Sequence, residues 1–101
     1  YRVLYEGKDY KVKELVINPH SELSMQRHKH RSETWNLVSG YAKLRLIHND
    51  KVEERDLLST TIIPVGTWHQ GYNDSDIPAH IVEIWRGESK YLTEEDIERK
   101  N

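Results

Sequence analysis

Four side chains of this sequence have types and spacing that could hold a metal ion. His28 and His30 are two residues apart, so on a β-strand they would project to the same face, about 7 Å apart along it. Glu33 follows as an oxygen ligand candidate, and His69 is a further candidate in the second half of the chain. Imidazole and carboxylate groups suit one divalent ion, zinc first, with manganese, iron, cobalt and nickel as alternatives. Taken alone, the same residues also fit two surface strand histidines and one loop histidine.

Length and composition narrow the class of protein that must position these side chains. The 101 residues predict one domain, residues 1–101, with a modest hydrophobic core. The 15 basic and 17 acidic residues nearly cancel, so we expect neither nucleic acid nor a membrane surface as the main partner. Because the chain contains no cysteine, a metal would have to be held by histidine and carboxylate. No signal-peptide pattern or long apolar run is present, and we expect a cytoplasmic protein.

The pattern of apolar residues predicts an all-β fold. Residues 1–5 and 10–17 read as a hairpin around a turn at 6–9, and from residue 41 apolar Ala42 and Leu44 alternate with charged residues. Many short strands with turns between them favour an antiparallel sandwich or barrel. The predicted strands cover residues 1–5, 10–17, 41–46, 52–55, 60–63 and 79–85.

A single short helix is predicted at the C-terminus. Thr93 is suited to cap the helix, and the acidic residues of 94–99 fall in the first turn, where the helix dipole favours them. At the other end, the aromatic and apolar residues 1–5 form a strand that could pair with another chain. We therefore expect a symmetric homodimer.

The candidate ligands fall within a pattern that resembles the two-part signature of the cupins. The first part reads His28-Lys29-His30, then Glu33 and Gly40, and the second reads Pro64-Val65-Gly66-Thr67-Trp68-His69-Gln70-Gly71-Tyr72-Asn73. This resemblance implies a single-domain double-stranded β-helix, or jelly-roll barrel, whose interior brings residue 69 back to residue 28. It also implies that His28, His30, Glu33 and His69 bind one divalent metal ion.

A narrower resemblance covers nearly the whole chain. Residues 23–42 and 82–99 are similar to the C-terminal isomerase domain of type II mannose-6-phosphate isomerases. The resemblance implies a hexose phosphate as substrate, with Arg31 and Glu33 as catalytic residues and with Arg31 in contact with the substrate. Gln26 lies two residues before His28, so on a strand it would share the face of His28 and point into the same cavity, either as a substrate contact or as a buried amide. Gln70 and Trp85 depart from the family pattern, and the nucleotidyltransferase domain of the bifunctional enzymes has no counterpart in this sequence.

Three functions stay open at this point. The first is metal-dependent isomerisation of mannose 6-phosphate to fructose 6-phosphate, in which the metal polarises a sugar oxygen and an unidentified base moves a proton. The second is another metal-dependent reaction, such as a dioxygenase reaction on a non-sugar substrate, and the third is non-catalytic sugar binding. Arg31 is equally suited to a phosphate contact and to a solvated basic edge shared with Arg27 and Lys29.

Overall fold

A computed structural model describes residues 1–100, which form two antiparallel β-sheets with short connections. The expected all-β class is confirmed. The strands are β1 Arg2–Glu6, β2 Tyr10–Ile17, β3 Ser21–Glu22, β4 Met25–Arg27, β5 Ser32–Ser39, β6 Lys43–His48, β7 Lys51–Asp56, β8 Thr60–Ile63, β9 Trp68–Asn73, β10 Ala79–Arg86 and β11 Glu98–Lys100.

The order of strands in each sheet is not the order along the chain, so distant residues become neighbours. One sheet has the order β1-β2-β10-β5-β8, and the other has the order β11-β4-β9-β6-β7, with β3 also paired to β9. The predicted N-terminal hairpin is present as β1 and β2. Strand β9 lies between β4 and β6, which places His69 beside Gln26 of β4.

Alternation along the strands divides the interior into an apolar part and a polar part. Trp35 and Ile81 on the inner face of the five-stranded sheet, and Leu44 on that of the other sheet, are almost fully buried in the core, as the period-two pattern requires. On the same face of the five-stranded sheet, Lys13 and Glu83 lie opposite each other on β2 and β10. The inner face of that sheet therefore carries buried charge next to its apolar core.

The predicted C-terminal helix is wrong. Residues 94–97 form a turn, in which the backbone N–H of Asp96 donates to the carbonyl of Thr93 and that of Ile97 donates to the carbonyl of Glu95. The chain then continues as β11, whose pairing with β4 satisfies backbone groups that a helix would have bonded internally. Among the described residues, the helical segment is a single 3₁₀ turn at Ser89–Tyr91. No helix in this part of the chain is long and apolar enough to span a membrane.

Candidate metal centre

Three of the four predicted metal ligands converge inside the barrel. One side-chain nitrogen or oxygen from each of His28, Glu33 and His69 lies within 4.8 Å of the others, and all three residues are buried. Nε2 of His28 is 3.0 Å from Oε2 of Glu33. Nε2 of His69 is 3.9 Å from Oε1 of the same carboxylate. The loop after β4, the start of β5 and the start of β9 each supply one of these groups.

Backbone contacts orient both imidazole rings toward the centre of this cluster. Nδ1 of His28 lies 2.7 Å from the carbonyl oxygen of Asp96, and Nδ1 of His69 lies 2.9 Å from that of Thr67. Because a carbonyl oxygen only accepts, each Nδ1 carries the hydrogen, and in the neutral ring each Nε2 carries a lone pair. Nε2 of His69 is buried without a hydrogen-bond partner. Two inward lone pairs beside a carboxylate therefore fit a divalent metal ion.

The carboxylate of Glu33 is held in its charged form by its neighbours. Oε2 accepts a hydrogen bond of 2.8 Å from Nε of Arg31, and Oε1 accepts one of 2.8 Å from the indole N–H of Trp35. Burial raises the pKa of Glu33, but the adjacent imidazole groups of His28 and His69 and the guanidinium of Arg31 outweigh it, so the pKa lies below its usual range. Burial lowers the pKa of His69, which favours the neutral ring that a metal needs.

His30 lies outside the cluster, and the expectation that it shares a strand face with His28 is wrong. Strand β4 ends at Arg27 and β5 begins at Ser32, so both histidines lie in an irregular connection. The exposed ring of His30 stacks on Tyr91 instead, with 3.9 Å between the ring centroids. Side chains two residues apart share a face only on an extended strand, and residues 28–31 lie outside the strands.

A cavity of about 220 Å³ opens beside the cluster, between the two sheets. Gln26 lines it from β4, where its backbone pairs with that of His69, so the predicted binding residue does face the candidate centre. The cavity is lined by Tyr1, Lys13, Leu15, Leu23, Gln26, Arg31, Glu33, Trp35, His69, Glu83, Trp85, Glu94, Ile97 and Arg99.

Glu83 is a buried acid of this cavity that the motifs did not indicate. It lies against Glu33, and its pKa is raised well above the usual range, first by burial and then by the negative charge and hydrogen bond of Glu33. A signal was present in the sequence, since the alternation of Ala79, Ile81 and Trp85 places Glu83 on the inner face of β10. The pKa values of these two adjacent acids are therefore shifted in opposite directions.

Lys13 is a second buried charge that sequence reasoning missed. Only 3% of its surface is exposed, and its ammonium group forms an ion pair with Glu94. The same group lies 3.5 Å from the ring centroid of Tyr1 and 4.2 Å from that of Trp85. Its position on the inner face of β2 follows from alternation with buried Ile17.

Arg31 lies in the wall of the cavity, where its guanidinium group is bound by the protein itself. Nε donates to Glu33, Nη1 donates over 2.9 Å to the carbonyl of Thr93, and Nη2 is 3.3 Å from Nε2 of His28. The guanidinium carbon lies 3.3 Å from the ring centroid of Trp85. Arg31 is buried, so the alternative of a solvated basic edge does not apply to it.

Comparison with known proteins shows which family this chain belongs to. Residues 1–101 match the family described as Mannose-6-phosphate isomerase C-terminal. The chain belongs to this family. Its curated relatives include Mannose-1-phosphate guanylyltransferase 2 of Escherichia coli O157:H7, which is 37% identical over 95 residues, or 94% of this chain and 19% of the relative. The alginate biosynthesis protein AlgA of Pseudomonas aeruginosa is 38% identical over 93 residues, or 92% of this chain and 18% of the relative.

The chain thus spans about a fifth of the length of these relatives of the Mannose-6-phosphate isomerase C-terminal family. Solved structures agree on the fold. A Klebsiella pneumoniae protein with a double-stranded β-helix domain aligns with a TM-score of 0.76 at 21% identity, over 98% of this chain and 81% of that one. CapF aligns with a TM-score of 0.81 at 21% identity, over 96% of this chain and 30% of that one. The expected double-stranded β-helix is confirmed.

Proposed function

We propose that this domain is a metal-dependent sugar-phosphate isomerase that interconverts mannose 6-phosphate and fructose 6-phosphate. The observation that carries the proposal is the convergence of two histidines and one glutamate, all buried, at the wall of a cavity that also holds a second buried acid. Family membership supports a sugar phosphate as the substrate class. The cavity beside these residues has a volume of about 220 Å³, which leaves space for a small molecule.

The candidate ligands for the metal ion are His28, Glu33 and His69. When bound, a divalent ion supplies Lewis-acid polarisation of a sugar carbonyl or hydroxyl oxygen. Arg31 holds the Glu33 carboxylate from one side and Trp35 holds it from the other, so that the carboxylate keeps one orientation. Three protein ligands are the set typical of catalytic zinc sites, which keep a position for water or substrate.

We assign the proton transfer to Glu83, since it is the buried acid of the cavity outside the ligand cluster. In the open-chain aldose, the carboxylate form of Glu83, whose raised pKa makes it a stronger base, takes the proton from C2 and returns it to C1, while the hydroxyl proton of O2 moves to O1. The sum of these transfers converts an aldehyde at C1 into a ketone at C2 without a net change of protons or electrons. A positioned side chain of this kind contributes about 10²- to 10⁴-fold to a rate.

The phosphate group requires a cation that is not already bound by the protein. Arg31 was the residue expected in this role, but its guanidinium contacts Glu33, Thr93 and His28. Arg99 lines the same cavity from β11 and is exposed. We therefore assign the phosphate contact to Arg99, through charge-assisted hydrogen bonds, and we assign to Arg31 the orientation of Glu33.

The test is turnover of mannose 6-phosphate by metal-loaded protein in deuterated water. We expect fructose 6-phosphate that carries deuterium at C1, because the transferred proton can exchange with solvent. Glu83→Gln should lose about 10²- to 10⁴-fold in kcat while it retains the metal. His80→Ala, on the outer face of the same strand, is the matched control and should keep wild-type turnover.

Two results would contradict the proposal. One is the absence of fructose 6-phosphate with every divalent ion tried, and the other is full activity of the Glu83→Gln variant. A second candidate function is favoured by the ligand set itself, since two histidines and one carboxylate also suit the iron of non-haem oxygenases. Oxygen consumption by the iron-loaded protein, without sugar-phosphate turnover, would favour that candidate.

A further inference from the structure

The loop that presents His28 is fastened to a distant segment of the chain. This ligand loop, His28–Arg31, connects β4 to β5, and it lies against the turn Thr93–Ile97, which we call the C-terminal turn. Asp96 of the turn makes three contacts with the loop. Its carboxylate accepts the backbone N–H of Lys29 over 2.9 Å and that of His30 over 3.0 Å, and its carbonyl accepts Nδ1 of His28 over 2.7 Å.

The three contacts constrain the ligand in different ways. The carbonyl of Asp96 fixes the tautomer and the direction of the His28 ring, so that Nε2 faces Glu33. The carboxylate fixes the two peptide groups that follow His28, which no strand pairing holds. Metal-binding histidines commonly depend on such a partner at the second ring nitrogen.

Contacts with Gly66 and Gly87 also restrict movement of the ligand loop away from Asp96. The backbone N–H of Gly66 donates to the carbonyl of His28 over 2.8 Å. Gly87 packs so closely on the other side that a Cβ there would lie 2.6 Å from the carbonyl oxygen of His30. The loop is thus held from two sides by backbone and from a third by Asp96.

We propose that Asp96 is a positioning residue for the metal centre, which sets metal affinity by holding His28 in its ligating orientation. The proposal rests on the same candidate ligands as the proposed function, but it does not require that the reaction be isomerisation. It also assigns a role to the C-terminal turn, since loss of the turn would release the ring of His28 while His69 and Glu33 stay on their strands.

The test is the affinity of the purified full chain for Zn²⁺ and Co²⁺, measured by competition with a chromophoric chelator. Asp96→Ala removes both acceptors for the loop amides, and we expect about 10- to 100-fold weaker binding. Asp96→Asn retains one acceptor oxygen and should fall between the Ala variant and wild type. Glu95→Ala, at the exposed neighbouring position, is the matched control and should bind like wild type.

Two further readouts separate positioning from a merely structural effect. The absorption spectrum of bound Co²⁺ should change in Asp96→Ala, because the orientation of one ligand changes. The melting temperature of the metal-free protein shows whether the variant folds, and Asp96→Asn serves if Asp96→Ala does not. Wild-type affinity and an unchanged Co²⁺ spectrum in a folded Asp96 variant would overturn the proposal. Weaker metal binding without any isomerase activity in wild type would uphold it and reject the proposed function.

Discussion

At the scale of single residues, different surroundings shift the pKa values of two buried glutamates in opposite directions. Glu33 and Glu83 lie side by side on the inner face of one sheet, and burial by itself raises the pKa of each. Glu33 has His28, His69 and Arg31 around it, and these hold its pKa below the usual range. Glu83 faces the negative charge of Glu33, so its pKa stays raised. Pairs of acids separated in this way are typical of catalytic sites.

This difference predicts how stability depends on pH. In the unfolded chain Glu83 has an ordinary pKa of about 4.3, whereas the folded protein binds its proton to higher pH. The stabilisation from that bound proton is complete below the unfolded pKa and is lost as pH rises through the folded pKa. Glutamine does not titrate. The Glu83→Gln variant should therefore gain unfolding free energy relative to wild type as pH rises from about 5, at up to about 1.4 kcal/mol per pH unit.

Urea denaturation of the metal-free proteins at a series of pH values measures this gain. Glu53→Gln, at an exposed strand position, controls for the substitution itself and should not reproduce the effect. A difference between the Glu83→Gln variant and wild type that is the same at every pH would contradict the prediction, because it would show that folding does not raise the pKa of Glu83.

At the scale of elements, alternation predicted the strands but not the connections. The hairpin of β1 and β2 and the inward face of β6 follow from local patterns of apolar residues. The conformation of the ligand loop does not follow from local patterns, because it depends on contacts with Asp96 and Gly66, which are remote in sequence. Local preference for a helix after Thr93 was outweighed by pairing of β11 with β4. The sequence therefore indicated three of the side chains that converge in the candidate site, whereas the position of His30 depends on contacts that are remote in sequence.

The close approach of the two sheets gives a prediction for β9. A Cβ at Gly71 would lie 2.7 Å from the ring of Trp35, which is itself almost fully buried. Gly71→Ala should therefore destabilise the protein by about 1–3 kcal/mol through overpacking, as measured by urea denaturation.

Gly7→Ala is the matched control for this prediction. There the added methyl group would meet the exposed and flexible side chain of Tyr10, so the loss of stability should be smaller. Equal effects of the two substitutions would contradict the account of sheet packing.

At the scale of the whole molecule, a polar cavity and an apolar core share the interior of one small barrel. The apolar core is buried, but β1 is exposed along its length at the edge of its sheet. Val3, Leu4 and Tyr5 are among its exposed apolar side chains. An open edge of this kind is a surface that proteins commonly cover by pairing with another chain.

We therefore retain the prediction of a homodimer that forms through β1. Light scattering at tens of micromolar should give the mass of two chains. Leu4→Lys should shift the equilibrium toward monomer, because it places a charge on the paired edge, while Lys51→Glu on β7 should not. A wild-type protein that is monomeric at this concentration would contradict the prediction.

The measurement that tests the account most directly is the metal stoichiometry of the purified chain and of two histidine variants. Titration of metal-free protein with Zn²⁺ should give one ion per chain in wild type and in His30→Ala, because His30 stacks on Tyr91 outside the cluster. His69→Ala should lose tight binding, since it removes one of the two inward imidazole nitrogens. Absence of bound metal in wild type, or an equal loss in His30→Ala and His69→Ala, would contradict the proposal that His28, Glu33 and His69 bind one metal ion.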